Sequence, residues 1–322
     1  MQNVDPSRLL EITTHLFALE VKVKIVPPVK NWIDGDLSIG QIKDVKIDDL
    51  LGREPINISN PVLEDEYDNN IILVTGAAGS IGSEITRKLS TYAFKRLILV
   101  DIAESALYDI QQELRQSGIE KFETIVADIR DVERMNVIFE QYKPKIVFHA
   151  AAYKHVPLVE HNVVEGVRNN IFGTLYTAQA AIKTKVETFV LVSTDKAVRP
   201  TNVMGATKRL AEHVIQYLQS QHDKTVFSIV RFGNVLGSSG SVVPLFQEQI
   251  SRGGPITVTD PQVMRYFMTV QEAVKLVLES GSMAQGNEVF VLDMGEPVKI
   301  ETLARRVIHR AGLSVRDEDN PT

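Results

Sequence analysis

Residues 71–82 read Ile-Ile-Leu-Val-Thr-Gly-Ala-Ala-Gly-Ser-Ile-Gly, an apolar run followed by three glycines at intervals of three residues. The apolar run predicts a buried strand, and Ile81, Ile85 and Leu89 recur at the spacing of one helical face. Glycines between a strand and a helix let the backbone approach a pyrophosphate, which the helix N-terminus attracts. The stretch therefore predicts a Rossmann-type dinucleotide site, formed by Gly76, Ala78, Gly79, Ser80, Ile81 and Gly82. A glycine turn without a ligand is the alternative.

Short apolar runs alternate with amphipathic stretches from residue 71 onward; the runs are IILVT, RLILVD, FETIVA, KIVFHA, TFVLVS and VFSIVR. Parallel strands need crossover helices, so this alternation predicts an α/β fold with a doubly wound parallel sheet. We expect residues 71–232 to form the dinucleotide-binding domain. After residue 233 the pattern loosens between glycine-rich turns, which predicts that 233–322 form a small C-terminal substrate-binding lobe with returning elements of the sheet domain.

Residues 1–70 differ from the rest of the chain. They suggest a helix over Ser7–Phe17, a strand over Val21–Val26, and a linker that ends in the acidic run Glu64–Asp68. One helix and one or two strands cannot bury a core of their own. This extension is therefore expected either to dock on the main domain or to be the end of a preceding domain.

Composition excludes several classes of protein. The 322 residues carry a net charge of -6, which argues against a protein that binds nucleic acid by neutralising phosphates. Cysteine is absent, which excludes disulfides, thiolate catalysis and cysteine-ligated zinc, and we predict no metal site. No apolar run is long enough to span a membrane and the N-terminus does not resemble a signal peptide, so a soluble cytoplasmic protein is expected.

Further cofactor contacts are predicted at the carboxyl ends of the strands. Asp101 follows Gly82 by 19 residues, close to the spacing at which an acid binds the adenosine ribose. The next residues contain no arginine to receive a 2′-phosphate, so NAD is favoured over NADP. Asp128 with Ile129, and the run Ala150, Ala151 and Ala152, end the third and fourth strands, where open sheets bind ligands. Tight packing is the other reading of the alanine run.

The glycine pattern, the strand end VSTDKA and the helix segment MGATKR resemble the extended short-chain dehydrogenase/reductase superfamily over nearly all of residues 71–312. Members usually carry Ser or Thr followed by Tyr-x-x-x-Lys, in which lysine lowers the pKa of a tyrosine base. Met204 stands at the tyrosine position here, and Lys208 follows four residues later. Thr194-Asp195-Lys196 with this Met-x-x-x-Lys resembles more narrowly the nucleotide-sugar 4,6-dehydratases that act on UDP-N-acetylglucosamine, in their large membrane-anchored form.

This resemblance implies a reaction in which NAD accepts a hydride from sugar C4 and later returns it to C6, after water is lost across C5 and C6. Lys196 would remove the C5 proton, and Asp195 would protonate the departing C6 hydroxyl. Thr194 would hydrogen-bond the C4 oxygen, and Lys208 would hold the nicotinamide ribose. The resemblance leaves open which group removes the C4 hydroxyl proton; Asp195 is the nearest candidate.

The same resemblance implies the substrate contacts. Lys154 and His155, in AAYKHVPLVE, would face the sugar, while Asn170 would steady the backbone of the active site. Asn234 would bind the diphosphate; Thr257 and Val258 would lie beside uracil, and Arg265 would bind phosphate.

Two features depart from the family pattern. The family continues beyond Val315 with a nucleotide-contacting segment that this chain lacks, and large members begin with membrane helices and a first Rossmann-like domain, whose end residues 1–55 resemble. We therefore expect a portion of a membrane-anchored, homo-oligomeric enzyme with its catalytic part in the cytoplasm, itself without membrane contact. A nucleotide-sugar 4-epimerase and a catalytically silent NAD-binding scaffold or sensor are the alternatives.

Overall fold

The computed structural model describes residues 62–315 continuously, together with residues 8, 12, 16, 24–26 and 43–44. The chain divides into two compact units. The first, here called the Rossmann unit, consists of Ile58–Gly233 and Val270–Asp293. The second unit consists of Met1–Asn57, Asn234–Thr269 and Met294–Thr322.

The described helices and strands are, in chain order, β1 (Lys24–Ile25), β2 (Lys43–Asp44), α1 (Val62–Tyr67), β3 (Ile71–Thr75), α2 (Ser80–Leu89), β4 (Arg96–Asp101), α3 (Glu104–Gln116), β5 (Phe122–Val126), α4 (Val132–Tyr142), β6 (Ile146–His149), α5 (Val156–His161), α6 (Val163–Val167), a π-helix (Arg168–Gly173), α7 (Thr174–Thr184), β7 (Thr188–Val192), a 3-10 helix (Asp195–Ala197), α8 (Val203–Gln221), β8 (Val226–Arg231), β9 (Asn234–Val235), α9 (Val242–Ser251), β10 (Met264–Arg265), β11 (Phe267–Met268), α10 (Val270–Met283), β12 (Val289–Val291), β13 (Val298–Lys299) and α11 (Ile300–Arg310).

A seven-stranded parallel sheet forms the centre of the Rossmann unit, in the order β12-β8-β7-β6-β3-β4-β5. The six strands predicted from apolar runs are all present, because Val, Ile and Leu pack well on a sheet that is buried on both faces. The strand order reverses between β3 and β6, and open sheets bind ligands at such a reversal. The predicted doubly wound α/β fold is confirmed.

Helices bury their apolar stripes against this sheet. Ile85 and Leu89 of α2 are fully buried, as their spacing predicts. Helices α4, α7 and α8 share one hydrophobic cluster with the strands, in which Phe139, Ala178 and Ile215 take part. The sheet and its flanking helices thus hold the strand ends in fixed positions.

The predicted linker over Glu64–Asp68 is wrong, because these residues belong to the helix α1 and the turn that follows it. Leu63 and Tyr67 lie one helical turn apart and are buried, and the Tyr67 hydroxyl donates a 3.2 Å hydrogen bond to the Leu278 carbonyl. The acidic residues occupy the solvent side of a helix that packs on α10. Burial of an apolar stripe therefore outweighs the linker-like composition.

The second unit has a smaller core. Strand β9 pairs in parallel with β11, and β10 pairs antiparallel with β13. Helices α9 and α11 pack together through Val243, Phe246, Leu303 and Val307. Residues 270–293, by contrast, return to the Rossmann unit.

The N-terminal part of the chain is described at few positions. β1 lies within the predicted strand Val21–Val26 and pairs antiparallel with β2. Residues 8, 12 and 16 are helical, and the remainder of the predicted helix Ser7–Phe17 lies outside the described residues. In the described part of the chain, no helix has both the length and the apolar character that crossing a membrane requires.

Candidate active site

The glycine loop after β3 is shaped by contacts that side chains would prevent. Gly76 has φ +67°, and a Cβ there would lie 2.6 Å from the Ala151 amide nitrogen at the end of β6. A Cβ on Gly82 would collide with the Gly76 carbonyl, far inside normal contact distance. Gly79 precedes the first residue of α2, whose N-terminal amides therefore face the loop. These features fit a pyrophosphate group between the loop and the helix.

Asp101 lies at the carboxyl end of β4, next to this loop. Its Oδ2 accepts a 2.9 Å hydrogen bond from the Ala78 amide, and its Oδ1 accepts one of 2.9 Å from the Ala103 amide. The carboxylate thus orders the glycine loop. Its predicted contact with the adenosine ribose stays a prediction.

Asp128 is held by an arginine that sequence reasoning did not single out. Arg130 binds the Asp128 carboxylate through Nε and a terminal nitrogen, and its other terminal nitrogen contacts Glu165 of α6 at 2.5 Å. The hydrogen bonds from Arg130 hold the pKa of Asp128 below its ordinary value despite partial burial. The Ile129 side chain is buried in the hydrophobic core.

Two hydrogen bonds with Asn170 hold the backbone that follows β6. The Tyr153 amide donates to Asn170 Oδ1 at 2.8 Å, and Asn170 Nδ2 donates to the Tyr153 carbonyl at 3.0 Å. Asn170 is itself fully buried on the π-helix. This side chain therefore clamps the backbone that continues from Ala150–Ala152 toward Lys154.

Thr194, Asp195 and Lys196 form a hydrogen-bonded group just beyond β7. The Thr194 hydroxyl donates to Asp195 Oδ1 at 2.9 Å, and Lys196 Nζ lies 3.1 Å from the same oxygen. The side chains of Asp195 and Lys196 are 46% and 31% exposed, so both can reach a bound molecule. The backbone is held to the neighbouring chain, because the Asp195 amide donates to the Phe232 carbonyl.

Helix α8 carries Met204 and Lys208 against this segment. Met204 is buried, and Gly205 approaches the Lys196 carbonyl so closely that no side chain fits between them. Lys208 is 5% exposed, and its Nζ donates a 2.7 Å hydrogen bond to the Val192 carbonyl. Burial lowers the pKa of Lys208 to about 8, while the nearby Glu212 carboxylate opposes this shift.

Two buried polar groups behind the site were missed from the sequence. Glu212 accepts hydrogen bonds from Ser193 and Arg231, and His149 bridges Thr75 on β3 and Thr174 on α7. Burial lowers the pKa of His149 to about 3, so it is neutral near pH 7. The spacing of Glu212 one turn after Lys208 is a signal that could have been noticed.

The predicted substrate residues of the Rossmann unit, Lys154 and His155, lie between Tyr153, which Asn170 holds, and helix α5. Lys154 and His155 are exposed, although surrounding protein lowers the pKa of Lys154 by desolvation. Glu160 of α5 accepts a 2.7 Å hydrogen bond from the Val203 amide at the start of α8. This hydrogen bond links α5 to α8, the helix that carries Met204.

The remaining predicted substrate residues belong to the second unit. The Asn234 amide donates to the Tyr266 carbonyl, and Thr257 is held by two hydrogen bonds to Gln249. Val258 packs on the core of this unit, while Arg265 is exposed on β10. Across the described residues of both units, no cluster of His, Asp and Glu could hold a metal ion.

Comparisons with known proteins agree with this architecture. Residues 72–322 match a family described as polysaccharide biosynthesis protein. The chain is 48% identical over 312 residues to the capsular polysaccharide biosynthesis protein CapD of Staphylococcus aureus, which covers 96% of this chain and 52% of CapD. The chain thus spans about half the length of CapD. It also spans 49% of the probable polysaccharide biosynthesis protein EpsC of Bacillus subtilis.

A more distant relative is named by its activity. UDP-N-acetylglucosamine 4,6-dehydratase (inverting) of Campylobacter jejuni is 32% identical over 229 residues, which are 70% of this chain and 67% of that protein. Among solved structures, Pen from Bacillus thuringiensis superposes with a TM-score of 0.72 at 36% identity, covering 75% of this chain and 74% of Pen. The chain is therefore similar to Pen in both sequence and fold.

Proposed function

Because the chain belongs to the polysaccharide biosynthesis protein family of extended short-chain dehydrogenases/reductases, which includes nucleotide-sugar dehydratases and epimerases, we propose that it is a UDP-N-acetylglucosamine 4,6-dehydratase. The reaction converts UDP-N-acetylglucosamine into a UDP-4-keto-6-deoxy sugar and water. The product would serve bacterial polysaccharide or glycoprotein glycan synthesis. The observation that carries the proposal is the hydrogen-bonded group Thr194, Asp195 and Lys196 at the carboxyl end of β7.

NAD is the proposed cofactor. The contacts of Gly76 and Gly82 support a pyrophosphate at the start of α2, and Asp101 is the acid placed for the adenosine ribose. We assign contacts with the adenosine and nicotinamide portions to Asp128, Ile129, Ala150–Ala152 and Lys208. Bound NAD would accept a hydride from C4 of the sugar and return it to C6 within one turnover.

The side chains beyond β7 supply the proton transfers. Thr194 hydrogen-bonds the C4 oxygen, and Asp195 takes the C4 hydroxyl proton during oxidation. The 4-ketone makes the C5 hydrogen acidic, and Lys196 removes it. Asp195 then returns its proton to the C6 hydroxyl, which leaves as water, and Lys196 returns a proton to C5 when the hydride is delivered to C6. Met204 has no proton to exchange, so it contributes packing at the position of the usual tyrosine.

Substrate recognition is assigned to two groups of residues. Lys154 and His155 bind the sugar from the Rossmann unit. In the second unit, Asn234 and Arg265 bind the diphosphate, because amide and guanidinium donors match phosphate oxygens. Thr257 and Val258 bind uracil.

We further propose that the protein is a homo-oligomer and belongs to a membrane-anchored enzyme with a cytoplasmic catalytic part. Leu210 and Tyr217 lie seven residues apart on one stripe of α8 and are 51% and 65% exposed. Such an apolar stripe is suited to packing on a second copy. Light scattering on the purified protein tests the oligomer, and a monomeric mass would contradict it.

Incubation of the protein with NAD and C4-deuterated UDP-N-acetylglucosamine tests the reaction. We expect a product that has lost water and carries deuterium at C6; water loss without deuterium at C6 would refute internal hydride return. An epimerase would give a product without mass loss, and Met204 argues against it because it cannot serve as the usual base. A silent scaffold would bind NADH without turnover.

Replacement of Lys196 by Met provides a sharper test. Lys145→Met is the matched control, because Lys145 also forms a 3.1 Å ion pair, with Glu187, but at the opposite end of the sheet. Lys196→Met should abolish water loss while NADH binding persists. Equal turnover in the two variants would contradict the assignment of Lys196.

A further inference from the structure

Glu212 is a fully buried carboxylate that the proposed reaction does not use. It is 0% exposed on α8 and accepts hydrogen bonds from Arg231 Nε at 2.8 Å, from a second Arg231 nitrogen at 2.5 Å and from Arg209 at 3.2 Å. Its other neighbour is Ser193, whose hydroxyl donates at 2.6 Å. Burial opposes ionisation of Glu212, but the Arg231 and Ser193 hydrogen bonds outweigh it and lower the pKa. The side chain is therefore ionised in the core.

The hydrogen bond from Ser193 to Glu212 lies next to the proposed catalytic segment, which consists of Thr194, Asp195 and Lys196. Ser193 immediately precedes Thr194, and its amide donates a 2.7 Å hydrogen bond to the Val230 carbonyl on β8. Glu212 on α8 holds the Ser193 side chain, whereas β8 holds the Ser193 backbone amide. The start of Thr194-Asp195-Lys196 is thus held by both a strand and a helix.

The charge of Glu212 also acts on Lys208, one helical turn earlier. Burial disfavours the Lys208 ammonium, and Glu212 is the carboxylate that favours it. The other charged or titratable groups around this pair are His149 on β6, which is neutral near pH 7, and the two guanidinium groups of Arg209 and Arg231. Without Glu212, Lys208 would lose the carboxylate that favours its charged form.

We propose that Glu212 is a positioning residue for the cofactor site, which anchors Ser193 at the end of β7 and maintains the positive charge of Lys208. The inference rests on the proposed function in one respect, namely that Lys208 binds the ribose of NAD. A cationic Lys208 donates hydrogen bonds to ribose hydroxyls, whereas the neutral amine is a poorer donor. Glu212 thereby acts on the cofactor through Lys208 without touching it.

The proposal predicts a specific pH dependence. The pKa of Lys208 is about 8, so NADH affinity should fall as the pH rises through that value. Glu212→Gln keeps the size of the side chain but removes its charge, which lowers the pKa of Lys208 further. The pH at which half of the affinity is lost should then move down by roughly one unit.

The experiment is a fluorescence titration with NADH between about pH 6 and 10, a range that spans lysine deprotonation. Glu279→Gln is the matched control, because Glu279 is also a buried helical glutamate of the Rossmann unit, at 7% exposure on α10. It should change melting temperature without moving the pH midpoint. Glu212→Gln made in a Lys208→Arg background should give no shift, since arginine stays charged throughout.

Ser193→Ala provides a second variant that leaves every charge in place. It should lower kcat by roughly tenfold with an unchanged pH midpoint for NADH, because a hydrogen bond to a charged group is lost next to the catalytic segment. A wild-type pH midpoint in Glu212→Gln, or unchanged kcat in Ser193→Ala, would overturn this inference alone. Absence of NADH binding by the wild-type protein at every pH would overturn the proposed function and this inference with it.

Discussion

The backbone at Gly205 lies directly against the Lys196 carbonyl, closer than any Cβ could approach. This contact seats the first turn of α8 on the 3-10 helix that contains Asp195 and Lys196. Asn202 caps the same turn by accepting a hydrogen bond from the Gly205 amide at 2.8 Å. The relative position of Met204 and the segment Asp195–Ala197 therefore depends on the absence of a side chain at residue 205.

Gly205→Ala should disrupt the active site. Alanine favours a helix by about 1 kcal/mol over glycine, but the new methyl group would meet rigid backbone at Lys196, so the protein should lose stability and most turnover. Gly281→Ala in α10 is the control, because its Cβ would meet only side-chain atoms, with Val190 Cγ2 nearest at 3.1 Å. Thermal denaturation and turnover measure the difference. Equal behaviour of both variants would contradict the importance of this contact.

Asp101→Asn should weaken NADH binding. The carboxylate orders the loop by accepting from the Ala78 and Ala103 amides, and a hydrogen bond to a charged group contributes about 1.5–3 kcal/mol, or at least tenfold in affinity. Asp109→Asn on the exposed side of α3 should leave the dissociation constant unchanged. Fluorescence titration compares the two, and wild-type affinity in Asp101→Asn would disprove the role.

Lys208→Met should stabilise the fold while it abolishes tight NADH binding. The pKa of Lys208 is about 8 in the folded protein, below its ordinary value of 10.5, so burial of the ammonium opposes folding by up to about 3 kcal/mol near pH 7. Between these two values the unfolded chain binds more protons, and this opposition fades as the pH rises. The stability advantage of Lys208→Met in urea denaturation should therefore shrink toward pH 10. An advantage that grows with pH would contradict the assignment.

Tyr67→Phe tests the helix that replaces the expected linker. The hydroxyl is buried and donates to the Leu278 carbonyl, so its removal leaves a buried acceptor without this partner and should lower stability by about 1–3 kcal/mol. Tyr108→Phe, at a side chain that is 55% exposed, should change stability by less than about 0.5 kcal/mol. Chemical denaturation distinguishes them; identical midpoints would mean that α1 contributes little to the fold.

Met204→Leu should retain turnover within about tenfold. The two side chains have similar volumes, and such exchanges in a core change stability by less than about 1.5 kcal/mol. If Met204 contributes packing alone, no proton transfer is lost. Complete loss of turnover in a folded Met204→Leu variant would show that the sulfur has a role beyond packing.

Much of the fold could be predicted from local features of the sequence. Apolar runs of five or six residues that alternate with amphipathic stretches predict strands of a covered sheet, and glycines spaced between a strand and a helix predict the loop. The close approach of Gly76 to Ala151, 75 residues away, depends on the fold. The helix α1 could not be identified this way, because its acidic residues suggest a linker and the partner of Tyr67 lies 211 residues away.

Local stretches of sequence were enough to predict the sheet, the glycine loop and the polar residues at the end of β7, because strand propensity and turn glycines depend on a few consecutive residues. How those residues are supported depends on contacts between distant parts of the folded chain. Glu212 meets Ser193 and Arg231, each 19 residues away, and Asn170 clamps Tyr153 across 17 residues. These contacts exist because folding removes water from charged and polar groups, which must then find partners wherever the packed chain brings them.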